Sequence, residues 1–486
     1  MKDKIFKKNK ISLNCFIELL LLCSFVYSFV YIGISTFQLW KDFCFYICCI
    51  VLIIFSMIIR KDKIFSFNNI LMGFAFMGFF MLWHLRHFHD WGNEYRLMLV
   101  AKQSMYGIFG LSVLNMIKNK EFSALDGDIK WYKFLFLFAA GLTLILGQEY
   151  VISALVPLFV WYSTPMTREK WNDFLMKFSL STYIVFVFIM TRSLLFFHNV
   201  EDGRYVGLFV FPAAAGVLIS LAFFAALYIS RYLVSKISSK WVKRILTVLI
   251  FVYPAIAMIL TMNRAALLGL LLAVICGWIF ISPKDRSKRA LKRGLIVIVA
   301  TLFIVVVGVV AIKMFQKTDL THIQEMAEEG ESWGTYIFDR VSKTLSPKSR
   351  TGLFKGGTII NAIDALSSTR ISIWYLGIKN VRLFGNSDLT VTLPNGDFVA
   401  HVHNTFLDWL LRLGIVGGGF LILWFVSLMV VSVKKLFDFD DTVLFTFLWA
   451  VFCLGFFFME RELWTDFSPF MLLILQYPLL KRFKGE

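Results

Sequence analysis

Three places in this chain carry residue types suited to chemistry. Arg264 lies in Leu260-Thr-Met-Asn-Arg-Ala-Ala, between two apolar runs with almost no turn between them. An arginine so placed either snorkels to lipid headgroups or faces an anion. Arg370 lies in Ser367-Ser-Thr-Arg-Ile-Ser-Ile-Trp374, in the first turn of an amphipathic stretch, where backbone amides also attract anions. A solvated surface arginine is the simpler reading there. His401-Val402-His403-Asn404 stands where a long polar loop meets the next apolar run. Histidine takes or gives a proton near neutral pH; one that only packs or caps a helix start is the alternative. Two His at i, i+2 are too few to hold a metal, and no acidic cluster completes a set, so no metal or other cofactor is expected. Guanidinium forks bind phosphate oxygens bidentately, and an imidazole removes a hydroxyl proton. Together they suit displacement of a diphosphate leaving group by a hydroxyl. Asp408 and Arg412, four residues apart, pair with each other or orient His403. Trp333, Tyr336, Trp374 and Trp409 either stack on sugar rings or belong to an interfacial aromatic belt. His84-Leu-Arg-His-Phe-His89-Asp90 adds histidines facing the same side.

The elements that must position these groups are apolar helices. Of 486 residues 58% are apolar and 17% charged, against about 45–50% and about 25% in soluble domains. Soluble, disordered, collagenous and disulfide-rich classes are therefore excluded. Continuous helix-length apolar runs argue against a β-barrel, whose strands alternate. Spans are expected near 11–35, 43–59, 67–86, 97–117, 133–147, 150–163, 178–197, 207–230, 245–262, 265–282, 294–312, 403–432, 442–459 and 467–480. The fold class is thus an all-α polytopic membrane protein of 12 to 14 spans, the short pair around Gln148–Tyr150 being either two spans or a re-entrant hairpin. Three parts follow: a bundle over 1–312, a large loop over 313–402, and C-terminal spans with a short tail over 403–486. From Ser368 the loop reads as a capped amphipathic helix, with Ile371, Trp374, Tyr375, Ile378 and Val381 at helical spacing, stopping near Gly385 and suited to lie on a membrane face.

Charge sets the orientation. By position, 31 of the 50 Lys and Arg fall in eight segments assignable to one side, and six fall in short loops on the other. Ten lie in the long loop, and Lys102, Arg192 and Arg412 lie within apolar runs. This positive-inside bias puts both termini in the cytoplasm and the long loop outside. It explains the net charge of +18 without nucleic acid. The seven Cys sit in apolar stretches with no metal-ligand spacing, as packing residues.

Several blocks resemble a known family. Arg370-x-x-x-Trp374, Leu383-Phe-Gly385, His403-Asn404-Thr-Phe-Leu and Leu413-Gly-Ile-Val-Gly are similar to the C-terminal signature of the O-antigen ligase/O-antigen polymerase (Wzy-type) superfamily. Asn263-Arg264-Ala resembles its earlier Ser-Arg-Gly/Ala motif, with Asn in the Ser place. The resemblance implies a GT-C-like, metal-independent glycosyltransferase at the outer face of a bacterial inner (cytoplasmic) membrane. It would transfer or polymerise glycans from an undecaprenyl diphosphate-linked donor to a glycan or lipid acceptor, for surface polysaccharide. Arg264 and Arg370 would bind the donor diphosphate and His403 would activate the acceptor hydroxyl. His401, Asn404, Asp408, Arg412 and Trp374 would contact substrate. Membrane lipids, a chain-length regulator or a flippase would be partners. A flippase for lipid-linked oligosaccharide is the rival reading, opposed by the long loop ending in His-Asn and by the lack of paired halves.

Overall fold

The computed structural model describes residues 13–34, 38–62, 71, 73, 75, 78, 93–119, 135, 138, 149–197, 200–201, 204–205, 208–209, 212–233, 237–261, 263–280, 370–385, 391–392, 398–399, 402–437, 441–460, 467–481 and 483–484. The expected span over 294–312, most of those over 67–86 and 133–147 and most of the loop 313–402 lie outside them, as do His401, the His84–Asp90 segment, Trp333 and Tyr336.

The described chain is helical. In order it forms α1 (Leu13–Ile34), α2 (Gln38–Arg60), α3 (Asn93–Lys118), α4 (Glu149–Ser163), α5 (Arg168–Phe196), α6 (Pro212–Tyr232), α7 (Lys240–Thr261), α8 (Arg264–Phe280), α9 (Arg370–Lys379), α10 (Thr405–Phe437), α11 (Leu444–Met459), α12 (Phe467–Leu475) and α13 (Tyr477–Leu480). Two antiparallel ladders of two residues per strand join Val200–Glu201 to Arg204–Tyr205 and Val391–Thr392 to Phe398–Val399. Among the described residues, Trp40–Arg60, Arg168–Phe196, Ala214–Tyr232, Lys240–Thr261 and Thr405–Phe437 are long and apolar enough to cross a membrane.

Near-continuous apolar sequence makes these helices hydrophobic all round, so several are buried on every side. The core holds Trp161, Trp171, Trp424 and Trp449, all fully buried. The buried cysteines Cys44, Cys48, Cys49 and Cys453 are in the thiol form, without disulfides among the described residues, and pack as small apolar residues. Helices α8 and α11 meet at glycines. A Cβ on Gly269 would fall 2.5 Å from the Phe452 carbonyl, and one on Gly455 2.8 Å from Gly269 Cα. Small residues permit such close backbone approach where packing, not water exclusion, drives association.

Hydrogen bonds define two ends of the bundle. At one end Arg60 Nη1 donates to Thr164 Oγ1 (3.2 Å), Trp171 Nε1 to the Thr442 carbonyl (3.0 Å) and Lys484 N to the Met166 carbonyl (2.8 Å). Lys170 and Lys435 also bond there, to the carbonyls of Ile59 and Pro478. Chain direction carries α5, α7 and α11 away from this basic end and α6 and α8 back towards it. The opposite end gathers the finish of α11, the starts of α8, α9 and α10, and the turn before Arg264.

Candidate active site

The start of α10 is set by a strong cap. Asn404 Oδ1 accepts from Leu407 N (3.0 Å), and its backbone carbonyl accepts from Asp408 N (2.9 Å). Asn404 Nδ2 donates to the Phe458 carbonyl (3.4 Å), and Thr405 Oγ1 donates to the Glu460 carbonyl (2.8 Å). The cap thereby ties α10 to the end of α11. His403, just before it, holds a left-handed backbone with φ 46°, uncommon for a residue with a side chain. That turn aims the imidazole at the same helix end. His403 Nδ1 lies 3.6 Å from Glu460 Oε2, an ion-pair separation longer than a hydrogen bond.

Arg370 opens α9 and reaches the same carboxylate. Its Nη2 donates to Glu460 Oε1 at 2.8 Å, and its Nη1 donates to the Met459 carbonyl at the end of α11. A guanidinium there also complements the negative end of the helix dipole. Burial opposes charge on Glu460, but the His403 side chain and the Arg370 guanidinium outweigh it and hold the carboxyl below the usual carboxylate range. Each group keeps an open edge: the side chains of Arg370, Glu460 and His403 are 21%, 20% and 33% exposed.

Helix α9 is held in register by an interlock of two glycines. Gly414 interrupts α10 with φ 72° and ψ 179°, a conformation essentially restricted to glycine. The break frees two amides: Ile415 N donates to the Arg382 carbonyl (2.9 Å) and Val416 N to the Leu383 carbonyl (3.2 Å). Gly385, at φ 78°, closes the turn. A Cβ there would sit 2.2 Å from the Arg412 carbonyl, and one on Gly414 2.2 Å from the Leu383 carbonyl. The segment after α9 is thus plugged into the kink of α10, and Arg370 is fixed relative to His403.

Arg264 stands at the first position of α8, behind Asn263. Asn263 Oδ1 accepts from Ala266 N at 2.9 Å. Ser and Asn both cap helices, so Asn in the Ser place keeps this local role. Gly216 of α6 lies against the Asn263 amide, with no room for a Cβ. The Arg264 backbone therefore sits at the same end of the bundle as Arg370, His403 and Glu460; its side chain, like His401, lies outside the described residues.

The other expected site residues are placed differently. Asn404 is 6% exposed, and both ends of its amide serve the cap and the α11 carbonyl. Asp408, 1% exposed, accepts from Arg412 Nε at 2.8 Å within α10, so the two are joined to each other. Trp374 packs with Ile373, Val402, Leu407 and Leu411 between α9 and α10. Trp409 is buried among Phe406 and Phe457, as core rather than as a sugar platform. The face that α9 buries carries Ser372, Ile373 and Gly377, whereas Tyr375 and Ile378 point out. Its packing face is thus rotated from the expected stripe, because α10 covers it. The helix ends at Lys379, short of Gly385. Among the described residues no three His, Cys, Asp or Glu gather as metal ligands.

Sequence reading missed Glu460. Its signal was the first acid of Glu460-Arg461-Glu462, directly at the end of an unbroken apolar run, a costly position that calls for a partner.

Residues 246–422 match the family model described as O-antigen ligase. This segment belongs to the O-antigen ligase family. The O-antigen ligase segment contains Arg264, Arg370 and His403 and ends before Glu460. With the long apolar helices, the match supports a multi-pass membrane protein of ligase/polymerase type. No curated protein and no solved structure matches the chain.

Proposed function

We propose that this protein is a membrane glycosyltransferase that moves an oligosaccharide from an undecaprenyl diphosphate carrier to a hydroxyl acceptor, outside the cytoplasmic membrane. The observation that carries the reading is the convergence of Arg370 and His403 on Glu460, at the end of the bundle where Arg264 opens α8. The opposite end carries Arg60, Lys170, Lys435 and Lys481, which supports a cytoplasmic location for it and for both termini.

In this mechanism Glu460 faces Nδ1 of His403 and favours a proton there, leaving Nε2 to take the proton of the acceptor hydroxyl. The acceptor oxygen bonds to the anomeric carbon. The bond from that carbon to the diphosphate oxygen breaks, and its electron pair leaves with the diphosphate. Arg370, whose remaining N–H groups are not used by Glu460 and Met459, and Arg264 offset the charge that develops there. The fixed α9–α10 interlock keeps donor and base in one geometry, which is where much of the rate enhancement arises.

The family match gives no support to a flippase. Polymerase and ligase are separated by one experiment: a deletion strain complemented with wild type or His403→Ala at equal membrane levels, scored for surface glycan and carrier-linked precursor. Single repeat units left on the carrier by the variant identify a polymerase. Full-length glycan left on the carrier identifies a ligase. A wild-type profile in the variant overturns the proposal.

A further inference from the structure

A second polar feature faces the same end of the bundle but lies on another face. Arg192 sits near the end of α5, one of three cations inside apolar runs. It borders a cavity of about 210 Å³ between α1, α5 and the segment that follows. Tyr27, Tyr31, Phe188, Phe197 and Leu208 complete most of the wall. Tyr27 contacts Tyr31 and Phe188, with ring centroids 6.1 and 6.3 Å apart. The Arg192 guanidinium lies 6.0 Å over the Phe197 ring. Leu208 is fixed by its amide donating to Ser193 Oγ at 3.0 Å.

The polar lining is one-sided. Its polar-bearing residues are one arginine and two tyrosines, and among the described residues lining the cavity none is acidic. Arg192 is exposed and makes no ion pair among the described residues. A cation within an apolar run is costly unless it meets an anion or water. The rest of the wall is aromatic and aliphatic, fit for the apolar part of a ligand beside an anionic head.

We propose that this cavity is a lipid-phosphate site, in which Arg192 and the hydroxyls of Tyr27 and Tyr31 hold the phosphate ester of a membrane lipid while Phe188, Phe197 and Leu208 pack its first apolar segment. The cavity volume fits a phosphate and its immediate substituents, not a long glycan. The site is separate from the Glu460 cluster, which is built from α9, α10 and α11.

The test is native mass spectrometry of the purified full chain in detergent, with phosphatidylglycerol, undecaprenyl phosphate or uncharged diacylglycerol added. Wild type should retain one phosphate lipid in preference to diacylglycerol. Arg192→Gln should weaken that retention at least fivefold and Arg192→Lys should restore most of it. The Tyr27→Phe/Tyr31→Phe pair, which keeps the wall intact, should weaken it about two- to threefold, and His403→Ala should leave it unchanged. Equal retention of both phosphate lipids assigns the site to a phospholipid headgroup; preference for undecaprenyl phosphate assigns it to a carrier lipid. Equal retention of diacylglycerol, wild-type retention by Arg192→Gln, or loss in His403→Ala would overturn the proposal.

Discussion

Two polar clusters stand at opposite ends of one apolar bundle, and they are built on different terms. At the basic end the chain breaks between α12 and α13 at Gln476. Pro478 supplies no amide for the Ile474 carbonyl, and Leu479 N turns to the Gln476 carbonyl (2.8 Å). The freed carbonyls of Leu473, Ile474 and Leu475 are taken by Tyr162, Trp161 (3.1 Å) and Thr446. Gln476 itself donates to Tyr162 Oη (2.7 Å) and accepts from Trp424 Nε1 (3.2 Å). These groups are buried and satisfied by protein. At the Glu460 end the charges are paired, yet each keeps an edge open to solvent. A closed network of this kind rigidifies a fold, whereas an open one leaves donors and an imidazole for a substrate. The contrast predicts that damage at Gln476 lowers the amount of folded protein, and damage at Glu460 lowers turnover per folded molecule.

Substitutions sharpen or break that division. The largest effect is expected from His403→Ala: loss of a general base lowers transfer on the order of 10²–10⁴-fold, with membrane levels unchanged on immunoblot. Glu460→Gln should lower transfer about 100-fold by letting His403 and Arg370 drift from register, again at wild-type levels. Gly414→Ala forces a side chain into a glycine-only conformation, at a cost of order 1–3 kcal/mol. It should displace α9 and so lower both melting temperature and transfer. Gln476→Ala should cost about 1–3 kcal/mol by stranding buried partners, lowering melting temperature while transfer per folded molecule stays near wild type. The smallest effect concerns pH. The Glu460 carboxyl is held below the usual range, so its stabilisation is complete above the ordinary carboxylate pKa and is lost as pH falls through the lowered value. Protection of the α9 amides, with exchange referred to its intrinsic rate at each pH, should therefore fall in acid for wild type, and should be lower but pH-independent over that range in Glu460→Gln.

Much of the architecture was legible because its signals are local. Helix-length apolar runs and clustered Lys and Arg announced the bundle and its two ends. The expected spans near 265–282 and 403–432 begin close to the structure's caps, Asn263 and Asn404, because a cap acts on its own next turn. What stayed hidden depends on partners distant in sequence. Gly385 and Gly414 were visible as motif glycines, but their interlock required two segments to meet. Trp409 looked available for a sugar because aromatic residues mark interfaces and cores alike. Glu460 was overlooked because its charge acquires meaning only beside Arg370 and His403.

The central claim is that the open cluster at Glu460 carries out glycan transfer. It is tested most directly by reconstituting the purified protein in vesicles with lipid-linked glycan extracted from a deletion strain, and following release of the carrier. The account predicts steady release by wild type, release reduced at least 100-fold in His403→Ala and Glu460→Gln, and wild-type release per folded molecule in Gln476→Ala. Release by His403→Ala at the wild-type rate would contradict it.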